Sequence, residues 1–266
     1  MSFTYVIPDI HGRFDLLCNG LAQIAAHAAG QTGTIVALGD FVDKGPDSRQ
    51  VVERLRAGAP EGWSFYPLKG NHDVMMAEAL RNPAKMDAWR ERGGATAIAS
   101  YGGDPSNVPS ADIEWLEQLP FMHIDRFRIY VHAGVDPQLP LDRQTEKTMM
   151  WSRYPKDFPL GFGDRHVVHG HEPFVDGPKL YEGRTNLDIC AWRTGRLVIV
   201  HEDTLTGGWG AEVAARVADE CLLSLEAPIK RVASFDVPAP AAPVLEDAVL
   251  PSVERIVAVV RSLASS

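Results

Sequence analysis

The chain has 266 residues, which is enough for one large domain or for one domain with an appendage. Its hydrophobic content of 45% and charged content of 23% are typical of a globular protein, and no apolar run reaches the ~18 residues of a membrane span. The net charge of −9 argues against a general binder of nucleic-acid backbones, but not against a small phosphorylated substrate, because a few local cations or metals can outweigh it.

Six apolar, β-branched runs predict strands. The first three are separated by residues 13–29 and 47–57, in which apolar side chains recur on one helical face, and this alternation predicts parallel βαβ units. After residue 165 no obvious helix separates the runs, which favours antiparallel pairing there. We therefore expect a mixed α/β fold with more than one sheet. The predicted strands cover residues 3–7, 34–38, 64–68, 128–132, 166–170 and 196–200.

The C-terminal part differs in composition from the rest. Residues 211–233 have a helical pattern, "VPAPAAP" at 237–243 is typical of a linker, and an amphipathic helix follows from Leu250. We predict a main domain over 1–210 and a C-terminal helical extension over 211–266. The last helix is a candidate packing element or a contact for a homo-oligomer.

The compartment is predicted from cysteine usage and from the first residues. The three cysteines are widely spaced and form no Cys-x-x-Cys pair, and "MSFTYVIPD" lacks the basic and apolar regions of a secretory signal. We expect a cytoplasmic protein without disulfides, and neither a nucleic acid nor a membrane as its partner.

Five short segments place Asp, Asn or His beside glycine, just after a strand-like run. In α/β sheets, ligand sites gather beyond the carboxyl ends of strands, where glycine permits sharp turns and close approach. Most of these segments are weak signals alone, "GDFVDKG" is stronger, and the ordered set is strong. The segments are "PDIHG", "GDFVDKG", "KGNHD", "VHAG" and "HGHEP".

The donor types in these segments predict a metal site. Carboxylate, amide and imidazole donors suit divalent manganese, iron or zinc, and no cysteine competes with them. The segments supply enough donors for two ions. Two ions about 3.5–4 Å apart clamp an in-line displacement at phosphorus and lower the pKa of a shared water. For the set as a whole, capping aspartates and surface histidines are the alternative interpretation.

The ordered motifs resemble those of the phosphoprotein phosphatase (PPP) branch of the calcineurin-like metallophosphoesterases. That family carries DxHG, GDxVDRG, GNHE, H(A/G)G and GH in this order. This chain has "DIHG", "GDFVDKG", "GNHD", "HAG" and "GHEP" between residues 9 and 173, and the segments 91–103 and 186–200 are similar to bacterial members. The resemblance covers about residues 3–205. It implies a mixed β-sandwich flanked by helices, and a catalytic role for the main domain at 1–210.

The resemblance also implies a dinuclear centre, with manganese favoured over iron or zinc. Asp9, His11 and Asp40 would hold the first ion, and Asp40 would bridge to the second. His72 would be the general acid that protonates the leaving group, oriented and kept charged by Asp43. The remaining ligands of the second ion would be Asn71, His132 and His171.

Two cationic side chains are candidates for phosphate binding. The family usually has arginine where this chain has Lys44, so a point charge replaces the bidentate fork. Arg153 resembles a second phosphate-binding arginine of bacterial and phage relatives. Asp73 replaces the usual glutamate of "GNHE" and is expected to alter the support of the general acid. His169 is expected to lie behind the ligands rather than among them.

Three functions are consistent with these residues. The first is a dinuclear-metal phosphomonoesterase that hydrolyses phosphoserine or phosphothreonine in proteins, by in-line attack of a metal-bridging hydroxide. The second keeps the chemistry but cleaves dinucleoside polyphosphates symmetrically, because bacterial hydrolases of that class share the motifs. The third is a metal-binding scaffold with impaired catalysis, for which Lys44 is the only indication. The expected partner is thus a phosphorylated protein or a small phosphoester.

Overall fold

The computed structural model describes residues 3–155, 158, 160–174, 177–194, 198–220, 229–237 and 248–264. The chain divides into two compact units, Met1–Pro173 with Lys179–Asp188 and Phe174–Pro178 with Ile189–Ser266. The boundary at residue 210, where the main domain is predicted to end, stays a prediction. Within the described segments, no helix has the length and apolar character needed to cross a membrane.

The first unit begins with a parallel sheet of three described strands, β1 (Thr4–Ile7), β2 (Thr34–Ala37) and β3 (Ser64–Pro67), with β2 in the centre. Helix α1 (Phe14–Ala28) connects β1 to β2, and α2 (Ser48–Arg56) connects β2 to β3. The predicted parallel βαβ units are confirmed. Their three carboxyl ends lie at the same edge of the sheet.

A second sheet follows in the same unit. Three of its strands run parallel to one another, and one antiparallel strand pairs at each edge. The prediction of antiparallel pairing after residue 165 is therefore wrong for the central strands. The long connection 132–165 lets the chain return to the same end of the sheet, which parallel pairing requires. The described strands, in the order β4-β5-β6-β8-β7, are β4 (Met122–Ile124), β5 (Arg128–Val131), β6 (His166–His169), β7 (Lys179–Leu180) and β8 (Arg184–Asn186).

Helices fill most of the segment between the two sheets. Between two of them, Arg90–Gly94 forms one turn of π-helix, in which Gly93 has a φ of 115°. A further helix lies in the connection from β5 to β6. These helices are α3 (Asn71–Arg81), α4 (Met86–Trp89), α5 (Ala95–Ser100), α6 (Ser110–Gln118) and α7 (Glu146–Trp151).

The two sheets of the first unit share a buried hydrophobic cluster. Val36 of β2 and Leu38, which directly follows β2, belong to it together with Tyr130 and Val168 from the second sheet. Because side chains alternate along a strand, Ala37 points the other way, into the cluster that contains the helices. The sandwich flanked by helices is confirmed, and it brings the strand ends of both sheets to one site.

The second unit contains two parallel described strands and three described helices. The helix predicted over 211–233 is wrong at its end, because Lys230–Ser234 is a strand whose Lys230, Arg231 and Val232 pair with Val198, Ile199 and Val200. The predicted last helix is confirmed, while the linker predicted at 237–243 lies, apart from its first residue, outside the described residues. The elements are β9 (Val198–Thr204), β10 (Lys230–Ser234), α8 (Ala191–Thr194), α9 (Trp209–Glu220) and α10 (Val253–Ala264).

Candidate metal centre

The strand-end motifs of the first unit converge on one buried site. His132, which follows β5 in the second sheet, donates its Nδ1–H to the Leu38 carbonyl oxygen of the first sheet at 2.9 Å. The main-chain N–H of His171, which follows β6, lies 3.3 Å from both carboxylate oxygens of Asp9, which follows β1. The sheets therefore hold residues from distant parts of the chain at hydrogen-bonding distance.

The backbone of this site is strained. Of the seven non-glycine residues with positive φ in the described part of the chain, five are predicted site residues, with φ between 45° and 72°. Left-handed conformations are unfavourable for residues with a side chain, and they cluster where function requires them. The strained backbone and the predicted motifs therefore lie at the same site. The five residues are His11, Asp40, Asp43, Lys44 and His171.

Two glycines make room for predicted metal ligands. A Cβ atom on Gly70 would lie 2.2 Å from the Oδ1 of Asp40, and one on Gly170 would lie 2.1 Å from the Oδ1 of Asp9. A side chain at either position would displace a carboxylate. Glycine is therefore required in "GNHD" and in "GHEP" because the backbone there lies against a carboxylate of another motif.

Asp40 lies between two groups of potential ligand atoms. In the first group its carboxylate is joined by His11 and His72, and in the second by His132 and His171, with the ligand atoms of each group within 4.8 Å of one another. The carboxylate lies 3.4 Å from the Nε2 of His11 and 3.5 Å from the Nε2 of His132. Burial raises the pKa of Asp40, but the neighbouring imidazoles outweigh it and lower that pKa well below its usual range. An ionised carboxylate in this position suits a bridging role.

The tautomers of two histidines fit metal binding. His11 donates its Nδ1–H to the Val42 carbonyl oxygen at 3.0 Å, as His132 does to that of Leu38. Each Nε2 therefore carries a lone pair that faces Asp40, the arrangement in which metal-ligating histidines are usually held. Burial lowers the pKa of both imidazoles, that of His11 to about 3, so both are neutral near pH 7.

The contacts of Asn71 also fit a cation. Its Oδ1 lies 2.9 Å from the Nε2 of His132 and 3.0 Å from the Nδ1 of His171. Because the His132 nitrogen carries a lone pair, it and the amide oxygen are both acceptors, and their contact is unfavourable unless a cation lies between them. The donor set of the second group therefore matches a metal site.

Asp9 is not in either group of described ligand atoms, but it lies beside them. Burial raises its pKa well above the usual range, and the charges of Asp188 and Asp40 add to this effect. Asp188 follows β8 and was not assigned a role from the sequence. Carboxylates that repel one another in a buried site are relieved by a bound cation.

The predicted general acid and its partner are in contact. The Nδ1 of His72 lies 2.7 Å from the Oδ2 of Asp43, whose side chain is fully buried. Burial disfavours the charged imidazole, but the carboxylates of Asp40 and Asp43 outweigh it and raise the pKa of His72. The indole of Trp89 donates its Nε1–H to the same Asp43 carboxylate, at 2.9 and 3.0 Å from its two oxygens.

Asp73 supports the loop of Asp40 rather than His72. Its buried carboxylate accepts the main-chain N–H groups of Asp40, Phe41 and Gly70, each at 2.9 Å. These bonds fix the loop after β2 against the start of α3. Asp73 was expected to alter the support of His72, and its role at the Asp40 loop could not be predicted, because no local pattern indicates which distant N–H groups a carboxylate accepts.

The two candidate phosphate-binding cations lie at the site. The Nζ of Lys44 is 2.8 Å from the Nε2 of His11, so the ammonium is inside the site. Arg153 is exposed, and after the larger effects of burial and His132 its charge helps to lower the pKa of His171 to about 3. His169 contacts the Nη1 of Arg184 at 3.1 Å and belongs to neither group of described ligand atoms.

Similarity to a protein family identifies the superfamily of this chain. The family model described as "Calcineurin-like phosphoesterase" matches residues 4–201, which is most of the chain. The chain belongs to the calcineurin-like phosphoesterases. The membership predicted from the order of the five motifs is confirmed, and with it the hydrolase class and a fold that implies divalent metal ions.

Relatives of this calcineurin-like phosphoesterase include bis(5'-nucleosyl)-tetraphosphatases of the symmetrical type. That of Yersinia pestis (strain Pestoides F) is 29% identical over 215 residues, which are 76% of this chain and 68% of the relative. That of Serratia proteamaculans (strain 568) is 28% identical over 171 residues, 60% of this chain and 55% of the relative. A solved structure named as a candidate diadenosine tetraphosphatase is 26% identical, with a TM-score of 0.54 over 73% of this chain and 86% of that chain.

The C-terminal part has a different likeness. A second family model, "Transketolase, C-terminal domain", matches residues 184–256. The 2-oxoisovalerate dehydrogenase subunit beta 2 of Arabidopsis thaliana is 46% identical over 70 residues, which are 26% of this chain but 19% of that protein. This likeness was not found from the sequence motifs, and it covers too little of either protein to assign a function.

Proposed function

We propose that this calcineurin-like phosphoesterase is a dinuclear-metal hydrolase that cleaves dinucleoside polyphosphates symmetrically. The observation that carries the chemistry is the buried carboxylate of Asp40, which lies within reach of imidazole nitrogens on both sides. The substrate class is supported by the similarity to symmetrical bis(5'-nucleosyl)-tetraphosphatases over most of the catalytic part. That similarity favours the second hypothesis over the phosphoserine and phosphothreonine phosphatase.

We assign the ligands as the motifs predict them. Asp9, His11 and Asp40 would hold one divalent cation, and Asp40 would also help to hold the second; manganese is proposed, with iron or zinc as alternatives. When bound, the two cations supply Lewis-acid charge to the phosphate and lower the pKa of the attacking water. Asn71, His132 and His171 would hold the second cation together with Asp40.

The remaining residues of the site act on the phosphate chain directly. The Nε2 of His72 donates a proton to the leaving phosphate oxygen, while its Nδ1 stays bonded to Asp43. The ammonium of Lys44, whose Nζ lies 2.8 Å from the Nε2 of His11, would bind the phosphate oxygens, and Arg153 provides a second positive charge at the rim. Because every proposed site residue lies at or before His171, we propose that residues 1–210 carry the activity.

Substrate preference separates the two leading hypotheses. The manganese-loaded protein is expected to show a higher kcat/KM on diadenosine tetraphosphate than on a phosphothreonine peptide. Symmetrical cleavage is expected to release ADP alone, whereas cleavage at an outer phosphate would release AMP and ATP. Rates are measured side by side on one preparation, with products resolved by anion-exchange chromatography. A preference for the peptide, or formation of AMP and ATP, would contradict the proposal.

A further inference from the structure

We propose that Trp89 is a positioning residue, whose indole N–H holds the Asp43 carboxylate in the orientation that aligns His72. The inference rests on the proposed function, because it requires His72 to donate a proton to the leaving group. It adds a residue outside the five strand-end motifs to the proton-transfer apparatus.

The contact between Trp89 and Asp43 can be a hydrogen bond in one direction only. An indole Nε1–H can only donate, and the Asp43 oxygens accept it at 2.9 and 3.0 Å. Both groups are shielded from water, since Trp89 is 2% exposed and Asp43 is 0% exposed. A hydrogen bond to a charged acceptor is strong and directional in such surroundings.

The Asp43 carboxylate is held from two helices. His72 on α3 contacts one carboxylate oxygen at 2.7 Å, and Trp89 at the end of α4 contacts both. Without the indole N–H, the described contacts leave the carboxylate side chain of Asp43 bonded to His72 alone. Rotation of the carboxylate would then move the imidazole relative to Asp40, and proton transfer is sensitive to such displacement.

The turn after Trp89 is built around this contact. A Cβ atom on Gly94 would lie 2.4 Å from the indole, so only glycine fits there. The carbonyl oxygen of Gly93 accepts the main-chain N–H of Lys44 at 3.2 Å, directly after Asp43. The turn at residues 92–94 therefore packs against the indole of Trp89 and is hydrogen-bonded to the loop that carries the Asp43 carboxylate.

A matched pair of substitutions separates the N–H from the packing of the ring. Trp89→Phe keeps an aromatic ring in the hydrophobic cluster but removes the donor. Trp115→Phe makes the same change in the same cluster, where the indole packs near Phe41 with ring centroids 5.8 Å apart. The readout is the ratio of kcat for phenyl phosphate to kcat for p-nitrophenyl phosphate, because a poor leaving group depends on the general acid and a good one does not. The ratio is independent of the folded fraction, since both rates scale with active enzyme.

We expect W89F to lower this ratio about tenfold, the effect of losing one hydrogen bond to a charged group. W115F should keep the ratio of the unchanged protein, and manganese content should be equal in all variants. In an H72N background, W89F should lower the ratio no further, because both changes act on one proton transfer.

Failure of the proposed function and failure of the proposal for Trp89 give different results. If H72N itself leaves the ratio unchanged, His72 is not the acid, and both the proposed mechanism and the role of Trp89 are overturned. If H72N lowers the ratio but W89F matches W115F, the proposed function stands and the positioning role of Trp89 is refuted. An equal further loss from W89F in the H72N background would also refute it.

Discussion

Replacing Asp40 with Asn is expected to lower kcat/KM on diadenosine tetraphosphate by about 100-fold or more. Loss of a partner behind a metal ligand costs about 10–100-fold, and loss of a bridging ligand should cost at least as much. The amide keeps the size of the side chain but removes the negative charge that lies 3.4 and 3.5 Å from two imidazoles. Bound metal, measured by plasma mass spectrometry, should fall along with the activity.

Asp112→Asn is the matched control for this change. Asp112 is also fully buried, but it accepts the hydroxyl of Tyr101 and lies outside both ligand groups. The control should lose stability to thermal unfolding while it keeps its metal content. If D40N retained full metal content and activity, the bridging role of Asp40 would be wrong.

Replacing His72 with Asn is expected to slow kcat about 10²–10⁴-fold on substrates with poor leaving groups. The metal content should not change, because the Nδ1 of His72 is bonded to Asp43 and its role is proton transfer. Activity on phenyl phosphate and manganese content are measured on the same samples. The loss should be smaller on p-nitrophenyl phosphate, whose leaving group needs less protonation.

The structure makes the metal measurement decisive for His72. Its ligand atom lies within 4.8 Å of those of His11 and Asp40, so it could also bind an ion. Loss of metal in H72N would show that His72 is a ligand and would contradict the division of roles. His123→Asn is a suitable control, since that imidazole stacks on Tyr66, with ring centroids 3.7 Å apart, outside the ligand groups.

Much of the site could be predicted from the sequence because its residues follow strands. An apolar run that ends in a glycine-flanked Asp, Asn or His indicates where a parallel strand delivers polar side chains. This holds for Asp40 after β2, for Asn71 after β3 and for His132 after β5. The sandwich then brings them together, as in the hydrogen bond from His132 to the Leu38 carbonyl oxygen.

Contacts between distant side chains could not be predicted in this way. The ring of Trp89 is buried, and no spacing in the sequence indicates that its N–H reaches a carboxylate 46 residues away. Asp73 was noticed only as a substitution in a motif, whereas its three N–H contacts depend on the packing of two loops.

The second unit was the least predictable part. Its strand Lys230–Ser234 has the pattern of a helix end, and it is a strand because it pairs with Val198–Thr204 about thirty residues earlier. The likeness of residues 184–256 to a transketolase C-terminal domain was not predicted from the short motifs.

Anomalous diffraction from crystals of the manganese-loaded protein tests most directly whether this site is dinuclear. Two peaks about 3.5–4 Å apart are expected, flanking the carboxylate of Asp40. One should contact His11 and the other His132. An absence of manganese at these side chains, or a single ion elsewhere in a catalytically active crystal, would contradict the account.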